Sequence, residues 1–103
     1  MDHEVQLQIS APVETDGEGA FLVIVRTLQG TVWPGVRLDA VRDDAGKERP
    51  ADLTVQRIWL FQREVDLLSP GSTGKLRITG DSGGVLTENS VLLGRTAEEH
   101  SRS

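Results

Sequence analysis

The chain has 103 residues, 16 acidic and 11 basic side chains, a formal net charge of -5 and 37% hydrophobic residues. That is the size and composition of one globular domain, too small for a two-domain enzyme or a nucleotide-driven motor and too apolar for a disordered chain. No apolar run approaches the ~18 residues of a membrane span.

Residues 4–9 alternate, with Val5, Leu7 and Ile9 set against Glu4, Gln6 and Gln8. This is the pattern of a half-buried strand. Residues 10–19 hold Pro12, Asp16, Gly17 and Gly19 and read as a loop. Ala20-Phe21-Leu22-Val23-Ile24-Val25 is a continuous apolar run of strand length, the pattern of a strand covered on both faces. Glu18 and Arg26 flank it as charged gatekeepers. Trp33-Pro34-Gly35 predicts a tight turn, with proline presetting φ and glycine supplying the positive φ of a type II turn. Trp33 itself is expected to pack at that turn.

Residues 36–41 alternate again, and Asp43-Asp44-Ala45-Gly46-Lys47 reads as a turn. A further strand is predicted over residues 53–61, and a short turn of helix within 60–68. Ser69-Pro70-Gly71 repeats the proline-glycine chemistry. Strands follow at residues 75–79 and at Val91-Leu92-Leu93. Short strands separated by glycine and proline turns predict an all-β fold, a small closed Greek-key barrel that leaves few exposed edges. The domain is expected to span residues 1–94, with a polar, flexible tail over 95–103.

The pattern resembles a known family over roughly residues 4–94. Gln29-Gly30-Thr31-Val32-Trp33-Pro34-Gly35-Val36-Arg37-Leu38 is similar to the glycine, hydrophobic pair, glycine and alternating strand of domain 2 in the translational GTPases of the elongation factor Tu type. Ile58-Trp59-Leu60-Phe61, Pro70-Gly71, Leu76-Arg77-Ile78, Gly80 and Val91-Leu92 continue the resemblance. Asn89 stands where that family has glycine, and asparagine is the next-best residue for positive φ. The resemblance implies a barrel of about six strands. It does not extend to the GTP-binding domain, which is absent from this sequence. The family's Gly-x-Val-x-x-Gly run is replaced by residues 20–25, without either glycine. A family glutamate that helps hold the 3′ end of aminoacyl-tRNA falls at Trp59.

No cysteine or tyrosine is present, and the two histidines, His3 and His100, lie near the ends. No metal, cofactor or catalytic set is expected. Gly80-Asp81-Ser82-Gly83-Gly84 matches the serine segment of trypsin-like proteases, but the required histidine and second barrel are missing, so the match reads as coincidence. Gly71-Ser72-Thr73-Gly74-Lys75 lacks the flanking residues of a phosphate loop. Glu14, Asp16 and Glu18 do not keep calcium-loop spacing and read as a solvated loop.

The most informative feature is Arg57, Trp59, Phe61 and Arg63. If the strand persists, period two puts all four on one outer face and points Ile58 and Leu60 into the core. Tryptophan and arginine are enriched at binding hot spots. The expected function is a non-catalytic binding module that meets a protein partner or its own twin through this face, unless loop 10–19 or segment 64–69 covers Trp59. The alternative is recognition of RNA, a tRNA end or a nucleotide, which the net charge of -5 opposes. With no export signal and no membrane segment, the expected compartment is the cytoplasm.

Overall fold

The computed structural model describes residues 4–84 and 86–95. The elements are β1 (Val5–Ile9), β2 (Glu14–Thr15), β3 (Phe21–Gln29), β4 (Arg37–Arg42), β5 (Glu48–Leu60), β6 (Arg63–Val65), β7 (Thr73–Asp81) and β8 (Val91–Arg95). The strand order is β1-β8-β4-β5-β7-β3, and a β1–β3 pairing closes the circle. The result is a closed six-stranded antiparallel barrel. β2 is added beside β3, and β6 beside β5.

All six long strands overlap the segments predicted as strands, β3 and β8 from continuous apolar runs and the others from their strand patterning. The two short ones lie in segments read as a loop and as a possible helical turn. Residues 60–68 hold no helix: the chain reverses at Phe61-Gln62 and returns as β6. β5 also begins earlier than expected, at Glu48. Its Pro50 is tolerated because β5 there pairs with β4 alone, and the β7 pairing starts only at Asp52. Arg95 is the last residue of β8. His3, His100 and the remainder of the expected tail lie outside the described residues.

Each of the six barrel strands contributes inward side chains to one core. Leu7, Ile9, Val23, Val25, Leu38, Leu53, Ile58, Leu76, Ile78 and Leu92 are fully buried in it. Trp33 packs against its edge. Both proline-glycine turns form as expected. Val36 N–H donates to the Trp33 carbonyl oxygen and Ser72 N–H to that of Ser69, while Gly35 and Gly71 take φ of +103° and +86°. Asn89 takes φ of +77°, the left-handed conformation anticipated for it.

Among the described residues one core group is unsatisfied. The Thr27 side-chain hydroxyl is buried and has no hydrogen-bond partner. An unpaired buried hydroxyl costs roughly 1–3 kcal/mol. Thr27→Val keeps the shape and removes that cost, so urea unfolding should show a gain of about 1 kcal/mol; an unchanged or lower midpoint would mean the hydroxyl is solvated.

Candidate binding groove

The apolar run at residues 20–25 is covered on one face only. Val23 and Val25 point into the core, Leu22 is half-buried on the outside, and Ile24 is 40% exposed. The expectation of cover on both faces is therefore corrected. The uncovered outer residues become the floor of a groove.

A bulge sets the opposite side of that groove. Between Val55 and Arg57 the register of β5 against β7 shifts by one, leaving Gln56 as the extra residue. Leu53 and Val55 point inward before it, and Ile58 points inward after it. Without the bulge, strict alternation from Leu53 and Val55 would bury Arg57 and Trp59. With it, both stand on the outer surface. Cross-strand partners share a face, so the pairings Trp59–Lys75 and Lys75–Ile24 place these three side chains in a row across β5, β7 and β3. The next row is Arg57, Arg77 and Leu22.

β5 does not continue to residue 63, so the four predicted residues do not share one strand face. The strand stops at Leu60, and a two-residue turn of Phe61 and Gln62 leads to Arg63. Arg63 is paired with Leu60, which packs against the core, and lies on the opposite face of the hairpin from Trp59. The residue opposite Trp59 on β6 is Glu64. Arg57 and Trp59 remain together on the outside. Phe61 reaches the same groove from the tip of the turn.

That turn is unusual. Phe61 and Gln62 both have positive φ, 53° and 66°. A two-residue hairpin turn of type I′ needs this conformation at both positions and normally uses Asn-Gly or Asp-Gly. Here a large aromatic occupies the strained site and is 93% exposed. It gains little from burial to offset the strain. Sequence reasoning selected Phe61 for its alternation, whereas its informative property is its backbone.

The groove encloses about 750 Å³. Leu22, Ile24 and Trp59 line its apolar part, Phe61 forms one wall, and Ser72 and Lys75 supply polar groups. The Gly-Ser-Thr-Gly-Lys segment is thus not a phosphate loop; Thr73 begins β7, and its neighbours contribute to the groove. Neither loop 10–19 nor segment 64–69 lines the groove.

Loop 10–19 instead folds beside it and holds Arg77. The Asp16 carboxylate accepts hydrogen bonds from the backbone N–H groups of Glu18 (2.8 Å) and Ala20 (3.2 Å) and from Arg77 Nε (2.9 Å). Glu18 also approaches Arg77, at 3.4 Å. The Glu18 N–H, and after it the hydrogen bond from Arg77, hold the Asp16 carboxyl below its ordinary pKa. A carboxylate with a depressed folded-state pKa stabilises the fold above its unfolded value, near 3.9, and that contribution is lost as pH falls through the lower folded value. Between pH 5 and pH 3, Asp16→Asn should therefore lose less thermal stability than wild type; equal losses would contradict this assignment.

Arg77 is neutralised, but Lys75, Arg57 and Arg26 make no ion pair among the described residues. The groove is consequently an apolar trough edged by cations on a chain of net charge -5. Among the described residues no group of three His, Cys, Asp or Glu side chains could hold a metal ion. The Ser82 hydroxyl donates to the Gly84 carbonyl oxygen, and Asp81 accepts from Gly83 N–H (2.9 Å), so the protease-like segment is a self-bonded turn. No helix among the described residues is long and apolar enough to cross a membrane.

The barrel superimposes on part of the crystal structure of GDP-bound aIF5B from Aeropyrum pernix, with a TM-score of 0.66 and 20% sequence identity. The fold is that of a translational-GTPase barrel. The match covers 96% of this chain but only 16% of aIF5B, so the likeness concerns one barrel of a much larger protein. At this identity it is a likeness of fold. No protein-family model matches the chain, and no curated protein matches it in sequence.

Proposed function

We propose that this chain is a non-catalytic binding module whose recognition surface is the groove between β3, β7 and the β5–β6 hairpin. The observation that carries the reading is Phe61, a large apolar side chain held almost fully exposed by a turn that disfavours it. Strain of this kind persists where the surrounding structure imposes it, and it clusters at ligand-contacting sites. Trp59 beside it supplies a second aromatic anchor, half-buried and partly desolvated. The described residues offer no acid, base and nucleophile arranged for chemistry. The likeness to a barrel of a multidomain GTPase supports an interaction role by analogy of fold.

Recognition of an RNA end or a nucleotide is the second reading. Two aromatic rings beside Lys75 and Arg57 are what favour it, since bases stack on such rings. The net charge of -5 weighs against it.

The test uses Trp59 fluorescence in a Trp33→Phe background. The protein is titrated with a short single-stranded RNA and with apolar-acidic peptides, and it is also serially diluted. A saturable response is expected from at least one of these, and Phe61→Ser should weaken it about tenfold without lowering the melting temperature. A Trp59 environment that none of them alters would contradict the proposal.

A further inference from the structure

The groove's charge pattern specifies its occupant more closely; this inference rests on the binding role proposed above. We infer that the groove takes an extended acidic peptide segment of a protein partner, with apolar side chains in the trough and carboxylates at Lys75 and toward Arg57. Three observations converge on this. The trough is apolar, with Leu22, Ile24 and Trp59 on its floor and Phe61 as a wall. At about 750 Å³ it has room for a few side chains but not for a folded domain. Lys75 lines it, and Arg57 stands in the neighbouring row outside the lining; neither has a counter-ion among the described residues, although acidic side chains outnumber basic ones in the chain, 16 to 11.

The adjacent Arg77 shows how the fold treats a cation it intends to neutralise: Asp16 is placed 2.8 Å from it and Glu18 3.4 Å. No such carboxylate is supplied to Lys75, the residue between Trp59 and Ile24 in the central row. A partner carboxylate there would complete the row, adding a charge-assisted contact to the apolar one. Two other occupants fit less well. A second copy docked groove to groove, with the two-fold axis at the central row, would set Lys75 against its own copy. An RNA strand would bring several phosphates against a chain of net charge -5, with Glu64 directly opposite Trp59.

The test is fluorescence anisotropy with labelled octapeptides at 50 mM and 300 mM salt. The acidic probe carries Phe and Leu at its fourth and sixth positions among Asp and Glu. A second probe replaces Asp and Glu by Lys, a third replaces Phe and Leu by Ala, and a ten-nucleotide single-stranded RNA is the fourth. Tightest binding is expected for the acidic probe, at least tenfold over the second and third, weakening with salt. Lys75→Glu, an exposed change that leaves the core intact, should reduce it at least tenfold and reverse the preference between acidic and basic probes. Arg57→Glu should act in the same direction. An acidic probe that binds no better than its basic counterpart overturns the inference, as does the same affinity for wild type and Lys75→Glu. Tighter binding of the RNA through Trp59 also overturns it while leaving the groove as the recognition surface. No anisotropy change with any probe, together with unaltered Trp59 emission of the Trp33→Phe protein, removes the groove reading as well.

Discussion

Replacing Phe61-Gln62 by Asn-Gly should make the protein more stable. Both positions sit at positive φ, 53° and 66°. Left-handed backbone costs an ordinary residue roughly 1–2 kcal/mol, and Asn and Gly far less. Phe61 is 93% exposed, so its removal forfeits little buried area. A gain of about 1–2 kcal/mol is expected, and for a domain of this size that raises the melting temperature by about 5 °C or more. The same exchange removes one wall of the groove and should weaken binding of any occupant. Stability and recognition would then move in opposite directions at one turn, as expected where a strained feature is kept for function. A double variant that melts lower than wild type would show that the hairpin is not strained and would remove the main support for the site.

Gly80→Ala should have the larger effect on folding. Gly80 has φ of +124°, a conformation that alanine adopts only under strain. A methyl group there would also collide with the carbonyl oxygen of Asp52 and press on the Leu53 backbone. Gly80 is paired with Leu53 across the β5–β7 seam, and neither contact is the flexible end of a side chain. The two effects together should cost about 3 kcal/mol or more, a large share of the 5–15 kcal/mol that holds a typical domain folded. Chemical denaturation measures it directly. A loss under about 1 kcal/mol would mean that the seam can open at Gly80, and it would contradict the close strand approach described here.

These two sites also show what the sequence makes legible. Gly80 is legible in the sequence only as part of the family resemblance; its positive φ and its close approach to Asp52 come from the strand pairing. Where a proline-glycine turn or a family glycine position calls for positive φ, few residues serve. The same logic anticipated Gly35, Gly71 and Asn89. Most of the long strands are legible because a barrel wall buries one face and so imposes period two; residues 20–25 are legible by their apolar, β-branched run instead. The site was harder. Trp59 stands on the outer surface, as alternation from Ile58 and Leu60 predicts, yet alternation from Leu53 and Val55 predicts the reverse. The bulge at Gln56 decides between them, and a bulge at glutamine leaves no mark in composition.

Period two groups Phe61 and Arg63 with Trp59 only where the strand continues past Leu60. The turn that ends it uses Phe-Gln, which carries none of the usual hairpin signal, so the segment looked like strand or helix instead. Residues 20–25 misled in a useful direction. A continuous apolar run indicates that both faces avoid water, and here the second face is only partly covered by the described residues: Leu22 is half-buried and Ile24 is 40% exposed. The missing cover is the groove.

The most direct test of that groove is an amide chemical-shift map of the 15N-labelled protein against small aromatic acids and indoles at millimolar concentration. A recognition surface binds such fragments weakly but at one place. The predicted shifts cluster at Leu22, Ile24, Trp59 to Gln62 and Ser72 to Lys75, and they vanish in Trp59→Ala while the rest of the spectrum stays folded. Shifts scattered over the barrel, or centred on the β4 side and indifferent to Trp59, would contradict the account.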